Sequence, residues 1–379
     1  MFNDKDLNKS YDQVVFERSF NLDKTKKQIL EGDFSYKAAR KKLFEAASNK
    51  LLEAAPESMF GQLTRYGVQV IADQWYQRIP VSYEQYVGKV TSKSRQEFYA
   101  PMFRGELAGK VGENEKFPEG QVKGNDIMIV NQKFGKIFSF SRELFTDDQT
   151  GQIAQRAQQI GEDMRLIEDI YATGRLTGSA FAFGSVKVDA PNYKTVDASG
   201  NVVSSVYAAA LGNLNVAGGL LSQALLESSE IALTTMVDPL GNPMLVVPNT
   251  LIVGPKDMFN AMKLLKSTDQ PSIPGVAPAT VSTSVSGTTG WTNTVNVLFN
   301  RYNLVMNRYL TQLGTDGVNE PWFLGEAKKG LIQQVRDTME VQQEAPNSGE
   351  SFNTDAYRYR GRARWETDWI ESRFWYRGN

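Results

Sequence analysis

GKIFSFSRELFTDDQTGQIAQRAQQIGEDMRLIEDIYATG, residues 135–174, decides the fold. Its first part continues a strand-like run, Phe134–Phe140. It then becomes the strongest helical pattern in the chain. Ile153, Ala157, Ile160, Met164, Ile167 and Tyr171 recur at steps of four and three, the period of one helix face. Asp147 or Asp148 suits the N-cap and Gly174 suits the stop. At 1.5 Å per residue such a helix is roughly 36 Å long. Gln155, Gln158, Gln159, Glu162 and Asp169 occupy its other side. A single apolar stripe predicts a helix lying across one surface, not one buried all round.

Upstream, GELAGKVGENEKFPEGQVKG at 105–124 is glycine-rich and mixed in charge. Strand-like runs flank it, Phe98–Phe103 before and Ile127–Val130 after. Strand, long tip, strand describes a two-stranded excursion. A hairpin of that length has no core of its own, so it must lie on something else. Residues 84–100 read as extended. A helix is expected over Phe60–Arg78, ending before Pro80. Another covers Ser35–Ala55, where Tyr36, Ala39, Leu43, Ala47, Leu51 and Ala54 keep helical spacing. Residues 1–33 read either as an extended arm or as a frayed terminus.

Downstream, SVKVDAP and NVVSSV flank turn residues and read as one hairpin over 185–205. A helix with Leu221, Leu225, Ile231 and Ala232 buried follows. Leu251–Val253 is a strand leading through Gly254 and Pro255 into the helix KDMFNAMKLLK. Residues 267–290 are rich in Ser, Thr, Pro and Gly and read as a long loop. Val295–Phe299, Tyr302–Tyr309 and Trp322–Leu324 are strand-like. Near the end, Arg358, Arg360, Arg362 and Arg364 alternate with Tyr357, Tyr359, Ala363 and Trp365. Period two gives one strand an arginine face and an aromatic face. Four like charges in a row repel unless something anionic meets them. That can be acidic side chains of a neighbouring subunit, the chain's own acids, or a phosphate backbone.

Composition limits the chemistry. The chain has 379 residues, 41% of them hydrophobic, with no Cys and no His. Thiolate metal sites, cysteine nucleophiles, serine–histidine triads and histidine acid–base work are absent. Lys and Arg number 42 against 43 Asp and Glu, a net charge of −1, which disfavours a globally basic nucleic-acid binder. The polar N-terminus lacks the apolar core of a signal peptide, and no apolar run is long enough to cross a membrane. No catalytic, cofactor-binding or metal-binding residue is singled out.

Three motifs fall short of a site. Gly105–Val111 is one residue short of a phosphate loop, has Val111 where a magnesium-binding hydroxyl is needed, and precedes no helix. Glu162, Asp163, Glu168 and Asp169 lie among Arg156 and Arg165, so a solvated, ion-paired helix face outweighs a metal site. The strand–turn–helix at Leu251–Leu265 lacks a glycine fingerprint.

In order, the elements are an arm, a helix, a long glycine-tipped hairpin, a very long helix, a mixed α/β region and a terminal strand. This order resembles the major capsid protein of tailed bacteriophages, the Hong Kong 97 fold, in its Mu-like branch. Residues 135–174 resemble the strand entering that family's spine helix. PMLVVPNTLIVGPKDMFNAMKLLKS at 243–267 resembles its axial strand and helix, and TDAYRYRGRARWETDWIESRFWYRG at 354–378 its closing strand.

The resemblance implies an α+β fold with regions at set positions. Residues 1–60 are the N-terminal arm and helix, 61–97 lead into the extended loop, and 98–138 are that loop. Residues 139–180 and 335–379 are the peripheral domain, and 181–334 the axial domain. It implies a non-enzymatic head subunit without cofactors. Such a subunit forms pentamers, hexamers and an icosahedral shell around double-stranded DNA, assembled in the host cytoplasm and carried in the virion. Scaffolding, portal and decoration proteins are the implied partners, and no membrane is involved. Lys110, Lys116, Glu119, Lys123, Arg358, Arg360, Arg362 and Arg364 are the expected inter-subunit contacts. The alternatives are an encapsulin-type compartment with the same fold, or a carboxylate-dependent, metal-requiring α/β enzyme.

Overall fold

The computed structural model describes residues 57–100, 110–117, 126–141, 152–197, 199–215, 220–268, 296–313, 320–344 and 356–378. The expected arm, the Ser35–Ala55 helix and residues 269–290 of the expected loop lie outside them. The helices are α1 (Glu57–Arg78), α2 (Gln152–Thr177), α3 (Gln223–Thr234) and α4 (Met258–Lys266). The first strands are β1 (Gly88–Thr91), β2 (Gln96–Tyr99), β3 (Ile127–Val130) and β4 (Gln132–Ser141). Four short strands follow α2: β5 (Phe181–Phe183), β6 (Val186–Val188), β7 (Thr195–Val196) and β8 (Val202–Val203). The last six are β9 (Thr250–Val253), β10 (Asn303–Met306), β11 (Trp322–Gly325), β12 (Leu331–Gln343), β13 (Ala356–Trp369) and β14 (Trp375–Gly378).

Two sheets of four strands carry the fold. One has the order β1-β12-β13-β4, the other β10-β9-β11-β14. The strand β1 is parallel to β12, with Gly88 opposite Ile332, while β11 runs antiparallel to both β9 and β14. Contacts divide the chain into two compact units, one of Met1–Gln77, Lys136–Glu162 and Val341–Gly361, the other of Arg78–Gly135, Asp163–Glu340 and Arg362–Asn379.

In the first unit α1 and α2 meet backbone to backbone. Val68, Ile71 and Ala72 are buried, as are Ala157 and Ile160. The contact needs Gly161, because a Cβ there would lie 2.2 Å from the Ala72 carbonyl oxygen. Small residues let helix backbones approach this closely.

In the second unit the β9 and β11 strands are buried along their whole length, as strands covered on both faces must be. Here α2 departs from the expected single stripe. From Glu168 to Thr177 only Tyr171 is not buried. Polar groups tolerate this because they are paired. Asp169 Oδ1 accepts the Ser82 hydroxyl (2.8 Å) and the Tyr83 amide (3.0 Å). Glu168 Oε2 accepts the Tyr83 hydroxyl at 2.6 Å and Arg165 at 3.0 Å. Glu168 and Asp169 are therefore internal braces, not a solvated face.

Other expectations change for local reasons. Gly174 does not end α2. It lies inside the helix, where a Cβ would meet Val188 at 2.9 Å, and the left-handed Gly178 (φ +70°) follows the last turn. The single hairpin over 185–205 is two. Val186–Val188 pairs backwards with Phe181–Phe183, and Val202–Val203 pairs with Thr195–Val196 across a turn held by Asp197. Ile231 is exposed, and Leu226 and Leu233 fill its expected role. Residues 297–300 form a turn, not a strand. The strand β12 went unread because its first turn of polarity is misleading: Gln333 and Gln334 are fully buried amides.

Gly161→Ala separates two effects. Helix propensity alone favours alanine by about 1 kcal/mol. The collision with Ala72 predicts the opposite sign, a loss of about 1–3 kcal/mol. Chemical denaturation of the variant should show destabilisation, and a gain in stability would mean that α1 and α2 are not in contact at this point.

Candidate functional site

The site begins with the alternation in β13. Tyr359, Ala363 and Trp365 are buried. The Trp365 ring stacks on Phe134 at 4.2 Å between centroids and meets Tyr171 of α2 edge-on at 5.5 Å. In the first unit Tyr359 packs edge-on against Phe140 at 5.5 Å. Such contacts add to the burial of the rings themselves, and they fix which side of β13 the arginines take.

That opposite side carries Arg358, Arg360, Arg362 and Arg364. Arg360 is exposed and the other three are half-buried. The chain's own acids, on and just after β12, offset part of this charge, two carboxylates against four guanidinium groups. Arg358 Nε lies 4.0 Å from Glu344 Oε2. Arg362 and Arg364 share Asp337 Oδ2, at 3.6 and 3.8 Å. Arg360 Nη2 donates to the Gln342 side-chain oxygen. The carboxylate contacts are longer than hydrogen bonds, so they offset charge at ion-pair range. A cavity of about 230 Å³ lies in this face, lined by Ile137, Gln342, Glu344 and Arg358 among others. The sequence reading missed Asp337 and Glu344 because it missed β12. The alternation Val335, Met339, Val341 was the available signal.

The other expected contact residues lie on the excursion. Its base is formed by β2 and β3, antiparallel, with Tyr99 opposite Ile127. Lys110 and Lys116 are exposed within the segment 110–117. There Gly112 N donates to Glu115 Oε2 at 2.9 Å, Asn114 takes a left-handed conformation (φ 63°), and Phe117 is 78% exposed. Glu119 and Lys123 lie outside the described residues.

Beyond Trp365 the alternation stops and every residue through Trp375 is buried. Arg175 Nη2 reaches Glu366 Oε1 at 2.9 Å, and Arg175 Nη1 donates to the Asp189 carbonyl at 3.0 Å. Burial pushes the Glu366 carboxyl up to about 7 against the pull of Arg175, with Asp368 raising it further, and burial likewise raises Asp368. One guanidinium thus serves two buried carboxyls. Among the described residues no group of three or more Asp or Glu side chains is arranged to hold a metal ion, and no described helix is long and apolar enough to cross a membrane.

Because the folded value for Glu366 lies above its ordinary 4.5, the folded chain holds the proton more tightly. Stability is greatest below about 4.5 and falls as pH rises from there to about 7. Glu366→Gln should remove this component. From pH 5 to pH 8 the wild type should lose on the order of 1–3 kcal/mol relative to the variant, read by denaturant melts at both pH values. A pH-independent difference would show that Glu366 is ionised throughout.

The sequence matches the family described as phage capsid protein over residues 126–378. No curated protein matches it. Solved structures similar to the chain include the capsid of a native GTA particle, at 13% identity, covering 78% of this chain and 88% of that one with a TM-score of 0.47. The procapsid of bacteriophage JBD30 is 13% identical over 86% of this chain and 76% of that one, with a TM-score of 0.40. A virus-like particle from Pyrococcus furiosus is 9% identical over 83% and 98%, with a TM-score of 0.43.

Proposed function

The chain belongs to the phage capsid protein family, and on that premise we propose that it is the major head subunit of a tailed bacteriophage, of the Mu-like branch. The family is structural, its place is the virion capsid, and its members assemble into oligomeric shells. The finer reading is that copies form pentamers and hexamers of an icosahedral shell around double-stranded DNA, put together in the host cytoplasm. On this reading the subunit has no catalytic role, needs no cofactor, and meets scaffolding, portal and decoration proteins. The observation that carries the reading is the family match, which runs from the returning strand of the excursion to β14.

The regional roles follow the Hong Kong 97 plan. Residues 98–138 form the extended loop over an adjacent subunit, with Lys110, Lys116, Glu119 and Lys123 as contacts. Residues 139–180 and 335–379 form the peripheral domain, and 181–334 the axial domain. Two features support this. The excursion is closed at its base by β2 and β3, yet the described part of its tip is almost entirely exposed. The arginine face carries four guanidinium groups against the two carboxylates of Asp337 and Glu344, and Arg360 on it is exposed.

Electron microscopy and sedimentation of the purified chain, with and without a co-expressed scaffolding protein, test the function. Closed megadalton shells are expected. A chain that stays monomeric or dimeric in both cases overturns the reading, and shells filled with protein cargo in place of nucleic acid identify a compartment instead.

The arginine face has its own test. Arg360→Glu with Arg362→Glu sets a carboxylate beside Asp337 on a half-exposed surface, a cost of about 1 kcal/mol or less. The circular dichroism spectrum should stay unchanged while shells no longer close. Normal empty shells that fail only in DNA packaging would show that the face meets DNA and not a neighbouring subunit.

A further inference from the structure

In the second unit α3 and α4 each bury one side and leave a stripe uncovered. On α4, Ala261, Leu264 and Leu265 enter the core. Phe259, Met262, Lys263 and Lys266 recur at the spacing of the opposite face, and all four are exposed. The following turn is tied to this helix. Asn296 Nδ2 donates to the Leu264 carbonyl at 2.7 Å, Asn300 N to the Leu265 carbonyl at 2.9 Å, and Lys266 Nζ to Asn300 Oδ1 at 2.7 Å. Phe299, exposed in that turn, adds a second uncovered ring. On α3, Leu226, Ser229 and Leu233 are buried, while Ala224, Glu227 and Ile231 step along the exposed side.

The α4 stripe is more apolar than a solvated surface requires, and on α3 Ile231 is the one large apolar side chain exposed. Phe259 is 72% exposed and Ile231 63%. Clustered apolar side chains rimmed by polar ones mark interaction surfaces. The rims are also opposite in sign. Lys263 and Lys266 flank the α4 stripe, and Glu227 flanks the α3 stripe. Glu227 accepts from Gln223 at 2.8 Å, a neutral donor that leaves its charge in place. Glu230, one residue before Ile231, is already engaged by Arg301 and Tyr302 of its own copy, so Glu227 is the carboxylate offered outward.

We propose that the α4 stripe of one copy docks on the α3 stripe of a second copy, with Phe259 and Met262 against Ile231 and with Lys263 and Lys266 facing Glu227. The occupant is another copy because the two stripes complement each other in charge and because the family assembles from many copies of its subunit. The proposal rests on the shell-subunit reading and names the contact that reading needs in this part of the chain. Its apolar centre supplies the adhesion, and the charged rim sets register and excludes wrong pairings.

Four variants of the full chain test it: Phe259→Ser, Lys263→Glu, Glu227→Lys, and the last two combined. All sites are exposed, so circular dichroism should match wild type in each. Sedimentation velocity over a concentration series reads the protein concentration at which assembly begins. Each single variant should raise that concentration by about tenfold or more, and the combined reversal should bring it back towards wild type. If wild type assembles and the single variants do so equally well, the docking contact is wrong while the shell reading stands. A combined reversal no better than the single ones also overturns the pairing. A wild-type chain that never assembles overturns the shell reading, and this contact with it.

Discussion

The structure depends on how the last 23 residues described, 356–378, are divided between two sheets. The strand β13 sits between β12 and β4, and β14 closes the edge of the β10-β9-β11 sheet. The short link between them is pinned by buried polar groups. Tyr193 donates its hydroxyl to Glu371 at 3.2 Å, and Arg373 bonds to both Glu371 and Thr195 at 3.2 Å. Close packing completes the join, since a Cβ on Gly325 would strike the Trp375 ring at 2.5 Å and one on Gly378 would enter the Trp322 ring. A chain that must close both sheets with one segment cannot choose the faces of β13 freely. The aromatic face goes inward and the arginines are left at the surface.

The same logic separates what was legible in the sequence from what was not. Apolar periodicity gave the first half of α2 and the two faces of β13 as far as Trp365, because there the buried residues are the greasy ones. It failed where the buried residues are polar. Gln333 and Gln334 hid β12, although Gln334 accepts the Tyr99 hydroxyl at 2.8 Å. Glu168, Asp169, Arg175 and Glu366 look like surface residues in a sequence and are internal in the fold. Such groups find partners more than eighty positions away, as Asp169 does with Ser82, and no local pattern announces a partner at that range.

The arginine face illustrates the consequence. Its alternation was plain, and its counter-charges were not, since Asp337 and Glu344 belong to the strand that went unread. With those acids in place the face is a mixed surface and not a bare cationic strip. A mixed surface suits specific protein contact better than non-specific attraction to a polyanion. The exposed apolar stripes of α3 and α4 carry the same message in another part of the chain. Groups that a solitary soluble domain would hide are on the outside, which is the condition expected of a subunit that completes its packing with copies of itself.

Amide hydrogen exchange, compared between dissociated subunits and the assembled particle, tests this claim most directly. Segment 110–117 should exchange rapidly in the free subunit and gain strong protection on assembly, the amides of α3 and α4 should exchange more slowly in the particle than in the free subunit, and β9 and β11 should remain protected in both states. Equal exchange at 110–117 and on both stripes in the two states would contradict the account, because those surfaces would then be covered by nothing in the shell.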